Sequence, residues 1–444
     1  METDSLHAAR VLMGDSLGFH IIFVMFGIGL PVVFSLLEFI GIRYKKPRLI
    51  DAAKFISYIA TVLVVTGVAS GTIIAIQISL MWPRLAEFGS GVIGLPFMFE
   101  GYAFILEALF LGYYMYTWDK IKGYRHWVLS LPIILGALLS AFFITSVNSW
   151  MNKPGGFDYI DGKVVNPDVW AGIFTPTTLF MVSHSVLGYY LAIFLTVIAG
   201  YAWFLAKHRP KGAAKKTAEY IIVRLAIIAF VVVVGIGAIG HFQTQYLAKS
   251  QPRKLAAIEL VAQTGANQPY IIGGELSADG ATVEGGIRIP NGLSILTGNS
   301  PNTEVKGLNE FPKEDWPNLI VNKLFESKML LVSILIAVPA VFLVLYRFRR
   351  KIAFSRPILF GFIIAAPIAF IVIELGWMVT ELGRQPYVVN GYLRTSEAFV
   401  NNPGIIQWGY IFPALFVVLF IVTILAVRAV IKHYCYLITG EKQK

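Results

Sequence analysis

Cysteine and charge are both scarce in this chain. Its 444 residues include one cysteine, Cys435, and that count excludes an intramolecular disulfide, a cysteine-ligated cluster and a cysteine zinc site. Charged residues make up 14% of the chain and hydrophobic residues 56%, a balance that is not typical of a soluble domain of this size. The sequence therefore predicts a polytopic membrane protein.

Repeats are also lacking, and the basic residues are dispersed. Without an internal repeat of fixed period, a transporter built from inverted repeats is disfavoured. The net charge is +11, but the basic residues lie in short loops between apolar stretches, which is an orientation signal of membrane proteins. No nucleic-acid partner is expected. Arg10 is the only Lys or Arg before the first apolar stretch, so that stretch is predicted to be an uncleaved membrane helix.

Nine apolar stretches are long enough to cross a bilayer as helices, since a span needs about 20 apolar residues. Lys and Arg are dense in alternate connections and in the tail, at Lys432, Lys442 and Lys444. By the positive-inside rule the N-terminus lies outside and the C-terminus inside. We predict an all-α fold with spans at roughly 17–42, 54–81, 91–117, 127–151, 178–205, 219–247, 325–346, 354–380 and 406–432.

The connection between spans six and seven is unusually long. Residues 248–324 form a segment of mixed polarity on the outer side, with turn signals at Gly273-Gly274 and Pro290-Asn291. Loops of this length are uncommon and often functional. We therefore divide the chain into spans one to six (1–247), an outer loop (248–324), and spans seven to nine with an inner tail (325–444).

Two of the seven histidines, His20 and His184, lie within long apolar stretches. An idle imidazole is costly in a membrane, and imidazole and methionine are favoured axial ligands of haem iron. Met329 at the start of span seven and Glu381 at the end of span eight are predicted to share the outer depth of both histidines. Each residue alone has an ordinary structural interpretation, but their common depth favours a haem site.

Protonatable side chains form a second set. Glu100 and Glu107 of span three are seven residues apart and so lie near one helix face. Ser140 of span four and Glu107 are predicted near mid-bilayer. This set predicts a proton path from the inner side toward the level of the haem. The alternative is that both carboxyl groups stay protonated and hydrogen-bond neighbouring helices.

A third set lies at the outer end of span eight. Glu374, Trp377 and Glu381 share a helix face. Arg384 follows in the turn, where its guanidinium is suited to clamping a haem propionate. Arg10, on the same side before span one, is a second candidate for that role. A simple anchor at the membrane interface is the alternative for both arginines.

Several short motifs follow one another along the chain. They are Arg10 with His20, Glu100 and Glu107 ahead of Trp118-Asp119, Leu139-Ser140-Ala141 with Asn148, Trp150 and Met151, then His184, Lys254-Leu255-Ala256-Ala257-Ile258-Glu259, and Glu374 through Gly383-Arg384-Gln385-Pro386. In this order they resemble subunit I of the cytochrome bd quinol oxidases over nearly the whole chain.

That resemblance implies a multi-pass subunit of a bacterial plasma-membrane oxidase. It implies two haem b groups, one low-spin and one high-spin, and one haem d. His184 and Met329 would bind the low-spin haem b, and His20 and Glu381 the two high-spin haems, without an indication of which holds haem d. Subunit II, a small single-helix accessory subunit and membrane lipid are the implied partners.

The same resemblance identifies the long loop as a Q-loop that binds quinol. Lys254 and Glu259 would contact the quinol, and we expect both to lie away from the haem ligands. Quinol protons would leave to the outside. Oxygen would be reduced to water with protons drawn from inside past Glu107, Ser140 and Glu100, so the enzyme would build a potential without pumping.

Three positions depart from the family's pattern. Tyr387 stands where Trp is usual, His241 where Asp is expected, and Leu260 follows Glu259 where Trp is common. The loop lacks the large insertion of some members and so resembles those from Gram-positive bacteria, where menaquinol is the usual donor. Two alternatives stay open: a proton-coupled multi-span transporter, and a haem-b quinol-dependent reductase without oxygen chemistry.

Overall fold

The computed structural model describes residues 2–402 and 404–439, so Lys442 and Lys444 of the inner tail lie outside the described residues. Nine helical segments in these ranges are long and apolar enough to cross a membrane, which confirms the predicted all-α polytopic fold. The membrane orientation stays a prediction. The helices are α1 Glu2–Arg43, α2 Pro47–Met81, α3 Pro83–Thr117, α4 Tyr124–Trp127, α5 Ser130–Asn152, α6 Val169–Ile173, α7 Thr178–His208, α8 Gly212–Ser250, α9 Pro252–Ile258, α10 Gly292–Gly298, α11 Ile320–Phe348, α12 Arg350–Ala353, α13 Arg356–Leu382, α14 Thr395–Ala398, α15 Ile405–Tyr434 and α16 Tyr436–Thr439.

Short strands occur only in connections within the described residues, where they pair as three antiparallel hairpins. In the largest hairpin Tyr270 lies opposite Ile289. Two 3-10 turns, Leu308–Glu310 and Lys313–Asp315, also lie in the long loop. The strands are β1 Asp158–Ile160 with β2 Lys163–Val165, β3 Tyr270–Leu276 with β4 Val283–Ile289, and β5 Tyr387–Val389 with β6 Leu393–Arg394.

Several helices run beyond the apolar stretches that predict them. The predicted first span starts at residue 17, but α1 starts at Glu2 and has 42 residues, about 60 Å at 1.5 Å per residue. Helix α8 continues to Ser250 and α11 begins at Ile320, so the connection between them is 251–319. Hydropathy detects the lipid-facing part of a helix, whereas the helix ends are stabilised by local contacts, such as the packing of Leu12 of α1 in a cluster with Met81 and Trp82.

Helix α1 is at the centre of the bundle, where it contacts α2, α5, α7, α13 and α15. Glycines permit the closest approaches. A Cβ on Gly29 of α1 would lie 2.5 Å from the Ile193 side chain of α7, and one on Gly136 of α5 would lie 2.7 Å from the Ala103 carbonyl of α3. Because lipid provides little hydrophobic drive between helices, close packing at small residues stabilises the bundle.

The long loop, residues 251–319, is folded onto the ends of the helices. Its α9 contributes the buried side chains Leu255 and Ile258 to a hydrophobic cluster that also contains Val321 of α11 and Val379 of α13. The β3–β4 hairpin and α10 follow. The loop is therefore an ordered cap that is attached to the bundle through α9.

A polar contact attaches the end of this loop to the turn after α13. Asp315 accepts a hydrogen bond from the Tyr387 hydroxyl at 3.1 Å, forms an ion pair with Arg394 and lies 3.9 Å from Arg253. Two guanidinium groups lie over the Tyr387 ring, Arg253 at 4.9 Å and Arg394 at 5.1 Å from its centroid. We call these four residues the loop anchor. The hydroxyl of Tyr387 gives the anchor a direct bond to Asp315.

The loop anchor predicts the effect of Tyr387→Phe, which keeps the ring beside both arginines and removes the hydroxyl. Loss of one hydrogen bond costs roughly 0.5–1.5 kcal/mol, so cleavage of the loop through local opening should become about two- to tenfold faster. Limited proteolysis of the purified protein measures this rate. Tyr392→Phe is the matched control in the same hairpin. Equal cleavage rates in both variants would contradict the anchor.

Candidate functional site

His20 is held between α1 and α2. Its Nδ1 is 2.9 Å from the Ser70 hydroxyl oxygen, and Ser70 donates to the Gly67 carbonyl at 3.0 Å. A Cβ on Gly71 would lie 2.9 Å from the imidazole Cε1, so glycine is required beneath the ring. Since these contacts orient the ring through Nδ1, Nε2 is the nitrogen that is suited to a further ligand.

His184 of α7 lies among α8, α11 and α13. Its Nδ1 is buried without a hydrogen-bond partner, and a Cβ on Gly240 of α8 would lie 3.7 Å from its Cε1. Lys328 of α11 is close enough to interact electrostatically with His184, and its Nζ is 3.4 Å from the Cβ position of Gly376. Lys328 was missed in the sequence analysis, although a lysine early in an apolar span is itself a functional signal.

Met329, the predicted partner of His184, follows Lys328 on α11. Its side chain is 45% exposed. The structure thus brings Lys328 to the histidine and leaves the methionine on a more open part of the helix surface.

Helix α13 contacts two neighbours through predicted site residues. The Glu374 Oε2 atom lies 3.5 Å from the Cβ position of Gly18 on α1, one helical half-turn before His20, and its Oε1 is buried without a hydrogen-bond partner. Trp377 donates from Nε1 to the Tyr189 hydroxyl of α7 at 3.0 Å. Helix residues two apart do not share a face, so Glu374 lies on a different side of α1 from His20, which packs against α2. Trp377 links α13 to α7.

Glu381, at the end of α13, is bonded through both carboxylate oxygens. Asn148 of α5 donates to Oε1 at 2.6 Å, and Arg384 forms an ion pair with Oε2. Arg384 is 4% exposed, and its Nε and Nη1 are buried without partners. A buried guanidinium with unused donors is suited to a further anionic group. Arg10 is exposed and approaches the same turn, with Nη2 3.5 Å from Gln385 Oε1.

The predicted proton-path residues lie between α1, α3 and α5. Ser140 donates to Glu100 Oε1 at 3.1 Å. Glu107 is 6% exposed, its Oε1 has no hydrogen-bond partner, and this atom lies 3.5 Å from the Cβ position of Gly27. Glu100 is near enough to act electrostatically on Glu107. The structure therefore brings the three predicted side chains into one region.

A second buried polar group was missed. Glu38 of α1 accepts a hydrogen bond from the Tyr114 hydroxyl of α3 at 2.7 Å, and its other carboxylate oxygen is 2.7 Å from His126 Nδ1. His126 Nε2 is 3.0 Å from the Tyr114 carbonyl oxygen. Tyr114 follows Glu107 by seven residues, two turns along α3. Glu38 lies within predicted span one, so its carboxylate was an available signal.

Lys254 of α9 is buried against the ends of α5 and α13. It donates to Asn152 Oδ1 and to the Thr380 carbonyl, both at 2.9 Å. Burial and the nearby Arg384 charge lower the pKa of Lys254 to about 7. Asn152 donates to Asn148 Oδ1 at 3.0 Å. The expectation that Lys254 lies away from the haem ligands is therefore wrong, because α9 folds back and joins it through two amides to Glu381.

Glu259 lies on the other side of α9. Its neighbours are Glu326 of α11 and Tyr270 of β3, and burial together with the Glu326 charge raises the pKa of Glu259 to about 8. The groups that act on Lys254 are Arg384 and Glu381, not Glu259. The structure thus separates the two predicted quinol residues onto different faces of one short helix.

A cavity of about 190 Å³ adjoins Lys254 at the base of the long loop. It is small for a ligand pocket, which typically has about 300–1,000 Å³, but is large enough for part of a ring. Three cations border it. Its lining includes Arg253, Lys254, Phe311, Gly383, Arg384 and Asn390.

Comparisons with known proteins agree along nearly the whole chain. The model of the family described as cytochrome bd terminal oxidase subunit I matches residues 8–435. The putative cytochrome bd menaquinol oxidase subunit I of Bacillus subtilis (strain 168) is 33% identical over 407 residues, 90% of this chain and 91% of that protein. The cytochrome bd ubiquinol oxidase subunit 1 of the same organism is 27% identical over 409 residues, covering 89% and 86%.

A solved structure leads to the same conclusion. The bd oxidase from Geobacillus thermodenitrificans has a TM-score of 0.91 and 32% identity, covering 97% of this chain and 99% of that chain. The family binds haem, acts in bacterial respiratory membranes and works with a subunit II. The predicted oxidoreductase class and multi-pass plasma-membrane location are confirmed. This chain belongs to the cytochrome bd terminal oxidase subunit I family.

Proposed function

We propose that this chain oxidises quinol at the cavity beside Lys254 and reduces O2 to water at haems held within the bundle. The observation that carries this proposal is the bonded series from Lys254 through Asn152 and Asn148 to Glu381, which connects a loop cavity to a candidate haem ligand. Neither a transporter nor an enzyme without oxygen chemistry accounts for membership of a terminal oxidase family.

The donor groups of this chain fit haem. Haem iron needs only one or two protein ligands, and within the described ranges no three His, Cys, Asp or Glu side chains form a metal site of their own. The unpartnered buried His184 Nδ1 and Arg384 guanidinium nitrogens support a bound group with a metal and carboxylates. We assign His184 and Met329 to a low-spin haem b.

His20 and Glu381 are assigned to the two high-spin groups, one haem b and one haem d. When bound, the haems supply electron transfer and oxygen activation. Arg384 holds Glu381 and directs its free donors to a propionate, with Arg10 nearby as a second cation. Glu374, whose Oε1 is unpartnered and whose Oε2 faces Gly18 of α1, is suited to holding a proton between α13 and α1, and Trp377 fixes α13 against Tyr189.

The quinol ring is proposed to enter the 190 Å³ cavity with its tail outside. Lys254 has three donors, two of which are used by Asn152 and Thr380, so one remains to orient a quinol oxygen. Glu259 lies on the other face of α9 and outside the cavity lining, so it is proposed to take up the quinol proton through intervening water and to release it to the outer solvent.

Protons for oxygen reduction are proposed to pass Glu107 and then the Ser140–Glu100 pair, whose side chains lie in one region between α1, α3 and α5. Taking protons from one side and releasing them on the other stores about 2.3 kcal/mol per charge per 100 mV.

The proposed donor is menaquinol, because the relative named a menaquinol oxidase is 33% identical and the one named a ubiquinol oxidase is 27% identical. A small single-helix accessory subunit and membrane lipid complete the proposed partners, beside subunit II.

The haem assignment predicts that His184→Ala abolishes the low-spin signal of the purified complex and retains at least one high-spin haem, because His20 and Glu381 are untouched. Absorption spectra and pyridine haemochrome analysis measure both. His208→Ala, at the exposed end of the same helix, is the control. A full low-spin signal in His184→Ala would disprove the assignment, and a complex without haem would disprove the oxidase proposal.

The raised pKa of Glu259 predicts a pH dependence. With a pKa of about 8 the group is largely protonated at pH 7 and ionised at pH 9, and only the carboxylate accepts a proton from quinol. Lys254, with a pKa of about 7, loses its proton over the same range, so the effect of Glu259 is measured as a ratio between proteins that both keep Lys254. The kcat/KM for quinol of the parent, divided by that of Glu259→Gln, should rise about tenfold from pH 7 to pH 9. The same ratio for the exposed Glu275→Gln should stay constant. A parent to Glu259→Gln ratio that does not change with pH would exclude this role.

The proton path predicts that Glu107→Gln, which keeps shape but cannot titrate, slows oxygen reduction by the reduced enzyme by about 10²-fold. The KM for quinol should be unchanged, since the quinol cavity lies elsewhere. Flow-flash oxygen kinetics and charge movement in reconstituted vesicles measure the effect. Glu87→Gln, exposed on the same helix, is the control. Parent rates with normal charge movement would make Glu107 a structural residue.

A further inference from the structure

The quinol cavity and the haem-ligand candidate Glu381 are joined by an unbroken series of hydrogen bonds. Lys254 Nζ donates to Asn152 Oδ1 at 2.9 Å, Asn152 Nδ2 donates to Asn148 Oδ1 at 3.0 Å, and Asn148 Nδ2 donates to Glu381 Oε1 at 2.6 Å. Asn152 is 1% exposed and Lys254 is 8% exposed. Water therefore has little access to the Lys254–Asn152 bond, whereas Glu381 at the other end of the series is partly exposed.

The direction of each bond follows from the chemistry of its partners. An ammonium group can only donate, so Asn152 must present its oxygen to Lys254. The Asn152 nitrogen also lies 2.9 Å from the Asn148 backbone carbonyl, which can only accept, and this fixes the amide independently. A carboxylate likewise accepts, so Asn148 must present its nitrogen to Glu381. All three bonds point from the cation to the carboxylate.

Aligned hydrogen bonds polarise one another in a low-dielectric interior. The positive charge of Lys254 strengthens donation by Asn152, which in turn strengthens donation by Asn148 to Glu381. The lysine stem is fixed in this arrangement: a Cβ on Gly383 would lie 2.9 Å from Lys254 Cε and 2.6 Å from the Val379 carbonyl. Glycine at 383 is thus required for the lysine to reach Asn152.

We infer that Asn152 and Asn148 form a relay through which the charge of Lys254 sets the electron density on Glu381. Lys254 is then a positioning residue for Glu381 as well as a quinol contact. This inference rests on the proposed function, in which Glu381 binds iron. A carboxylate that accepts a strong hydrogen bond donates less to a metal, so the relay favours the reduced state of the haem held by Glu381.

The test uses Asn152→Leu, which keeps the side-chain volume and breaks the relay, and Lys254→Met, which removes the charge at its outer end. The midpoint potential of each haem is measured by spectroelectrochemical titration of the purified complex. In both variants the midpoint potential of one high-spin haem should fall by about 59 mV, which for one electron raises the ratio of oxidised to reduced haem about tenfold. The other haems should be unchanged. Lys249→Met, exposed at the end of α8, is the control.

The double variant separates a relay from two independent effects. If Asn152 transmits the charge of Lys254, the combined shift is no larger than either single shift. Additive shifts of the midpoint potential would overturn the relay. Midpoint potentials in Lys254→Met equal to those of the parent would also overturn it, and this measurement can be made even if Asn152→Leu does not assemble. A parent complex without haem would overturn the proposed function and the relay together. If the parent complex contains haem and is active, but the midpoint potentials of the variants equal those of the parent, only the relay would be overturned.

Discussion

The cost of an ionisable group in a membrane is the constraint on which this structure depends. Several buried ionisable groups of the described bundle have a hydrogen-bond partner or a candidate role. Glu38 is satisfied by Tyr114 and His126. Glu107 and His184, in contrast, keep buried atoms without partners. Because an idle ionisable group in such a position is destabilising, the open atoms of Glu107 and His184 make these side chains candidates for function.

Glycine determines where these groups can lie. The Cβ positions of Gly71, Gly27 and Gly18 face His20, Glu107 and Glu374, at distances of 2.9–3.5 Å. The three glycines lie on α1 and α2 against functional side chains of a neighbouring helix. At each of these positions the titratable group occupies the space that a larger side chain in place of glycine would fill. The glycines that allow close helix packing therefore also determine the geometry of the site.

The sequence was sufficient for the membrane helices, because hydropathy and helix period act over short distances. It was insufficient where residues distant in the chain meet. Lys254 and Asn152 are 102 positions apart in the chain, and no local pattern records that α9 folds back onto α5. Lys328 and Glu38 were detectable as ionisable residues in predicted spans, but their partners were not. Tyr387 was noted as a departure, and only its bond to Asp315 explains what the hydroxyl does.

Charge at the end of α13 is unbalanced in a way that joins these observations. Lys254 and Arg384 are buried cations, and Glu381 acts on both: its charge affects Lys254, and it forms an ion pair with Arg384. A buried cluster with more cations than carboxylates is destabilising unless a further anion neutralises the excess positive charge. Haem propionates at Arg384, and a quinol oxygen at Lys254, would each supply negative charge or an acceptor. The loop anchor keeps Arg253 beside this region. The same cluster of charges would therefore contribute to attachment of the loop, to binding of quinol and to retention of haem.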